Sequence, residues 1–132
     1  MLIAIDERDP RPIYLQIVAE IKRGIRAGQI REGEELPGVR ELAGDLGVNL
    51  HTVHQAYREL ARQGVVHLRL GRRARVAPVR RRPAARAEIE AALLPRLEEL
   101  MTDAFHLGLS PDEFRALVDD LAKKHRTEEG QK

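Results

Sequence analysis

Cysteine and tryptophan are absent from this 132-residue chain, and Tyr14, Tyr57, Phe105 and Phe114 are its only aromatic residues. Without cysteine there is no disulfide framework, no thiol nucleophile and no cysteine-ligated zinc, which is compatible with a cytoplasmic home. So few rings disfavour a stacking platform for single-stranded nucleic acid. No apolar run approaches the roughly 20 residues of a membrane-spanning helix, so no membrane association is expected. The start, Met1-Leu2-Ile3-Ala4-Ile5-Asp6, turns acidic too soon for a signal peptide and lacks a basic lead. No Ser/His/acid or Cys/His arrangement stands out, and no Gly-rich loop joins a strand to a helix. The chain is therefore expected to be no enzyme and to need no cofactor.

What the chain has is charge, unevenly placed. Residues 1–86 hold 17 basic side chains against 10 acidic ones, whereas residues 87–132 hold 6 against 11. Such asymmetry between halves suggests a polyanion-binding head and a different kind of tail. The expected division is a head over 1–78, a Pro/Arg linker over 79–86 and a helical tail over 87–132.

Hydrophobic periodicity fills in the head. After Pro10 and Pro12, the residues Tyr14, Ile17, Val18, Ile21 and Ile25 recur at helical spacing, with Gly28 where the helix should end. Residues 30–37 read as a short connection. A second helix over roughly 38–46 places Val39, Leu42, Ala43 and Leu46 inward and stops at Gly47. Asn49 then caps a third helix whose inner face is Val53, Ala56, Tyr57 and Leu60, closed by Gly64. Beyond it Val66, Leu68 and Leu70 alternate with His67 and Arg69 as a half-buried strand. Gly71-Arg72-Arg73 is the expected turn, and Ala74 to Ala77 the returning strand. The predicted fold is mostly α with a small β-hairpin, and Gly47-Val48 is short enough to join the second and third helices as a helix-turn-helix.

In the tail, Ile89, Leu93, Leu97, Leu100, Met101 and Ala104 form a stripe. Pro95 lies inside it, where a kink or a restart is expected. Ser110-Pro111-Asp112-Glu113 has the cap, first-turn proline and box glutamate of a helix start, followed by Phe114, Leu117, Val118 and Leu121 on one side. The end from Lys123 is expected to fray. Two helices are too few to build their own core, so the stripes need a partner. The stiff, charged linker favours a second copy of the chain over the head. No clear apolar pocket is expected in so small a tail.

Between Arg62 and Arg86 lie nine arginines and no acidic residue within 25 positions. Such uniform charge calls for an anionic partner, and phosphate with its condensed counterions is the natural one. The third helix carries His51, His54, Gln55, Arg58 and Arg62 outward and Asn49 and Thr52 at its start, groups suited to base edges.

The run Pro12-Ile13-Tyr14-Leu15-Gln16-Ile17, then Gly28-Gln29-Ile30, Gly33, Leu36-Pro37, Val39-Arg40-Glu41-Leu42-Ala43, Leu46-Gly47-Val48, Thr52-Val53, Ala56-Tyr57, Leu60 and Gly64-Val65-Val66 resembles the winged-helix domain of GntR-family transcriptional regulators. The resemblance covers about residues 10–77. The stretch Leu107-Gly108-Leu109-Ser110-Pro111-Asp112-Glu113 and the wording around Arg40 and Thr52 resemble the YtrA subfamily, which carries a small two-helix dimerisation tail instead of a large effector domain. The resemblance implies DNA contact by Arg40, a recognition-helix start at Asn49, His51, Thr52 and His54, and a wing-tip glycine at Gly71. Three positions depart from the family pattern. Gly38 replaces a usual serine, Arg73-Ala74 replaces Gly-Thr in the wing, and His51 or His54 stands where other subfamilies have arginine.

The expectation is a homodimeric, sequence-specific repressor bound to a double-stranded DNA operator. Arg40, Asn49, His51, Thr52, His54, Gln55, Arg58, Arg62, Gly71, Arg72 and Arg73 would touch DNA. Ile89, Leu93, Leu97, Leu100, Met101, Phe114, Leu117, Val118 and Leu121 would dimerise. An unidentified small-molecule effector would fit best between head and tail. A protein–protein module and sequence-nonspecific DNA coating are the alternatives. His51 and His54 at i, i+3 could share a metal, but two imidazoles without a third ligand make a poor site, and none is expected.

Overall fold

The structure, a computed structural model, describes residues 3–130, with side chains through residue 126. The leader reading at Met1 and Leu2 and the extreme C-terminus lie outside the described residues. The chain divides into two compact units between Val79 and Arg80. The first contains α1 (Ile13–Arg26), α2 (Val39–Leu46), α3 (Leu50–Arg62), β1 (Val66–Arg69) and β2 (Arg72–Val76); the second contains α4 (Arg86–His106) and α5 (Pro111–Gly130). This is the mostly helical winged helix-turn-helix expected from the sequence.

Apolar spacing builds the first unit. Ile17 and Ile21 of α1, Leu42 of α2 and Val53, Ala56, Tyr57 and Leu60 of α3 meet in one aliphatic core, joined by Ile30, Leu36, Val66, Ala74 and Val76. Gln16 is buried beside them, and both ends of its amide are engaged: it accepts from Asp6 N–H at 2.9 Å and donates to the Arg11 carbonyl at 3.2 Å. That pair of bonds offsets the cost of burying a polar group and pins the N-terminal segment to α1.

The turn between α2 and α3 depends on Gly47, whose φ of +68° admits residues other than glycine only at a cost. It lets Val48 N–H reach back to the Ala43 carbonyl at 3.0 Å, a helix-ending bond of the Schellman type. Asn49 then caps α3 by accepting from His51 N–H at 2.8 Å.

The hairpin differs from its sequence reading. β1 and β2 pair antiparallel through Val66↔Val76, His67↔Arg75 and Arg69↔Arg72, with a register irregularity between His67 and Arg69. Strict alternation breaks there, so Val66 is buried while Leu68 and Leu70 are 47% and 104% exposed. The turn is Leu70-Gly71 rather than Gly71-Arg72-Arg73, and Arg72 and Arg73 open β2. Residues 33–36, read as plain connection, lie along β2: Leu36 N–H donates to the Ala74 carbonyl at 2.8 Å and Val76 N–H to the Glu34 carbonyl at 2.9 Å.

In the second unit α4 runs unbroken through Pro95, so no restart occurs. The capping box at the start of α5 is complete. Glu113 N–H donates to Ser110 Oγ at 3.1 Å, and Ser110 N–H donates to Glu113 Oε1 at 3.0 Å. That bond holds the Glu113 carboxyl below its ordinary range. Helix α5 continues to Gly130, past the Lys123 position where fraying is expected from sequence.

Candidate nucleic-acid interface

The helix-turn-helix sorts its side chains by face. On α3, Val53, Ala56, Tyr57 and Leu60 turn inward, while His51, His54, Gln55, Arg58 and Arg62 are exposed and Thr52 is half-exposed. Arg40 on α2 is exposed as well. Tyr57 ties the two helices together. Its buried hydroxyl donates to the Pro37 carbonyl at 2.6 Å, fixing the segment that leads into α2. Burial, reinforced by the charge of Glu41, pushes the Tyr57 phenol well above its ordinary value, so the group stays a donor at any physiological pH.

Asn49 has a divided role. Its Oδ1 accepts the cap bond, and its NH2 group has no partner within the protein among the described residues. Gly38, the N-cap of α2, makes no side-chain cap bond. His51 and His54 share the exposed face, and among the described residues no group of three His, Asp or Glu side chains is placed to hold a metal.

The arginine-rich stretch is acid-free along the chain but not in space. Arg69 and Arg75 approach Glu35 at 3.5 and 3.8 Å, and Arg73 lies 3.1 Å from Glu41. Arg75 also donates to the Gly33 carbonyl at 2.5 Å. On α3 the Arg62 guanidinium grips Glu59, with Nε to Oε2 at 2.8 Å. Arg62 and Gln63 together draw the Glu59 carboxyl down to about 2. Farther along, Arg80 pairs with Glu88 and Arg86 with Glu90. Arg40, Arg58 and Arg72 have no such partner among the described residues. Sequence reasoning could have found Glu59–Arg62 from its i, i+3 spacing, whereas Glu35 and Glu41 are brought in by tertiary folding alone.

The residues read as a dimer face are mostly exposed in the single chain. Leu93, Leu97, Leu100, Met101, Leu117, Val118 and Leu121 all stand open to solvent, with Ile89 and Phe114 half-buried. Contrary to the sequence expectation, the tail does carry an apolar hollow, of about 260 Å³, at the α4–α5 elbow, lined by Met101, Phe105, Leu109 and Phe114 among others. It lies where Gly108, at a φ of +89°, turns the chain between the two helices, and the buried Ala104 is part of its lining.

Comparisons with known proteins fit this geometry. The model of bacterial regulatory proteins of the gntR family matches residues 13–76. The HTH-type transcriptional repressor YtrA of Bacillus subtilis (strain 168) is 29% identical over 121 residues, 92% of each chain. A transcriptional antiterminator from Listeria monocytogenes EGD-e superposes with a TM-score of 0.81 at 31% identity, covering 95% of this chain and 92% of that one. A GntR family transcriptional regulator from Listeria monocytogenes gives 0.60 at 31% identity, covering 85% and 96%. The DNA-binding domain of AraR, solved in complex with operator ORR3, gives 0.50 at 30% identity, covering 56% and 89%.

Proposed function

The chain belongs to the GntR family of bacterial regulatory proteins and is a DNA-binding transcriptional regulator, and on that premise we propose that it acts as a homodimeric, sequence-specific repressor. The observation that carries this is the exposed row His51, His54, Gln55 and Arg58 on a helix whose opposite side is locked into the core. An α-helix presented in this way fits the major groove of B-DNA. Thr52, His54 and Gln55 read base edges, as does the free amide of Asn49. Arg40 and Arg58 hold phosphates on either side. Gly71 lets the wing turn tightly enough to approach the backbone.

Tail pairing supplies the second half-site. Two copies joined through the exposed stripes of α4 and α5 place their α3 helices about one helical turn apart, or a multiple of it. Repression follows when the bound dimer occludes polymerase. The protein works in the cytoplasm, catalyses no reaction and requires no cofactor; among the described residues no helix is long and apolar enough to cross a membrane.

Selecting bound duplexes from a random pool tests specificity and symmetry together. A two-fold-symmetric consensus is the expected result. Equal recovery of all sequences would instead leave a nonspecific coating protein. Binding that ignores salt would leave an apolar protein–protein module, because phosphate contacts weaken linearly in log–log form as salt rises.

A further inference from the structure

The wing strands carry four arginines, Arg69, Arg72, Arg73 and Arg75, and three of them have a carboxylate within reach. Arg69 and Arg75 share Glu35 at the foot of the hairpin, and Arg69 also donates to the Arg73 carbonyl at 3.2 Å. These contacts brace the wing from within. Arg73 is different, because its partner Glu41 sits on α2, one residue after Arg40. Arg72, the first residue of β2 after the Gly71 turn, is exposed and has no carboxylate partner.

We propose that Glu41 is an affinity-limiting residue that holds Arg73 against α2, so that Arg72, the one wing arginine with no carboxylate within reach among the described residues, makes the wing's contact with the DNA backbone. The inference rests on the DNA-regulator reading and specifies how much charge the wing delivers. Both members of the pair are about half exposed, 56% for Arg73 and 51% for Glu41. An exposed pair is a bias and not a lock. Its consequence is a count: a guanidinium already neutralised by a carboxylate releases no counterion from DNA, and a free one releases about one. A carboxylate beside Arg40 thus trims nonspecific affinity without touching the base-reading face of α3.

The experiment measures binding of the full-length protein to a labelled random-sequence duplex across a salt series. Glu41→Gln is expected to tighten binding about threefold and to steepen the log–log salt slope by about one phosphate. In an Arg73→Gln background the same change is expected to add nothing to the slope. Arg72→Gln is expected to flatten it by about one. An unchanged slope for Glu41→Gln, or an equal gain with and without Arg73, overturns the proposal, since the carboxylate would then act on DNA directly or not at all. Loss of salt-sensitive duplex binding in the unmodified protein overturns the regulator reading itself, a result distinct from an intact wild-type slope that Glu41→Gln fails to move.

Discussion

The head and the tail of this chain spend their apolar residues in opposite ways. In the head, three helices and a hairpin close around Ile17, Ile21, Leu36, Val53, Leu60, Val66 and Val76, each under 2% exposed. In the tail, Ala104 is the one buried apolar residue among those described, while Leu100, Leu117 and Leu121 stand 53%, 58% and 54% exposed. The sequences of the two regions are similarly aliphatic. The difference is enclosure: three helices and a sheet can surround a core, and two helices can only offer a face. An exposed apolar face of this kind marks a candidate interaction surface, and it is the one that the proposed pairing of two copies uses.

The comparison breaks most visibly if the tail is charged. Leu97→Glu with Leu100→Glu should give monomers by light scattering, and operator affinity should fall by about 10²–10⁴-fold as the second half-site loses its effective concentration. A variant that stays dimeric sinks the tail assignment. Truncation in the head should act on stability instead. Leu60→Ala, at a position with no exposure, should cost about 2–5 kcal/mol in urea unfolding. Leu117→Ala should cost little in a monomeric background and more in the dimer.

Most of the head was legible because its signals are local. The inner face of α3 came directly from the spacing of Val53, Ala56, Tyr57 and Leu60, and the cap from Asn49. The hairpin was harder: alternation placed Leu68 and Leu70 inward, but a register irregularity is a property of two strands and leaves no mark in one. The site shows the same division. The outward residues of α3 follow from helical geometry, whereas the pairing of Arg73 with Glu41 joins positions from separate elements. An acid-free run in sequence therefore overstated the charge available to phosphate. In the tail, Pro95 suggested a kink or a restart, and α4 runs through it without a restart. A proline removes one amide donor and crowds one carbonyl, and an exposed helix can let water satisfy that carbonyl.

Smaller changes sharpen the interface itself. His54→Ala or Thr52→Ala should relax preference at one base position by about 1–3 kcal/mol in competition binding. Weakening that is equal for every sequence would make these residues backbone contacts. Gly38→Ser should supply the missing α2 cap. The backbone there is already extended, with φ −61° and ψ 154°, and a Cβ would meet nothing within 4 Å. A gain of a few tenths of a kcal/mol in unfolding free energy is expected, with tighter duplex binding if the hydroxyl also meets a phosphate.

The smallest effect compares the two units under acid. Glu59 in the head and Glu113 in the tail are both held below the ordinary carboxylate value of 4.5, Glu59 by the Arg62 guanidinium and Gln63 amide, Glu113 by the Ser110 backbone N–H and hydroxyl. A carboxyl with a lowered folded pKa binds fewer protons in the native state than in the unfolded one, so its contribution to stability is present above the unfolded value and lost as pH falls through the folded one. For Glu59 that window runs from 4.5 down to about 2. The difference in melting temperature between the wild type and Glu59→Gln should be constant near neutrality and shrink to nothing across that window. Glu113 is exposed and Glu59 is half-buried against an exposed guanidinium, so salt should diminish the Glu59 effect through screening. The Glu113 effect should persist in salt better, because its partners are a neutral amide and a hydroxyl rather than a charge. A Glu113→Gln variant that matches Glu59→Gln in its salt response would mean that long-range charge, and not the capping box, sets the acid stability of the tail.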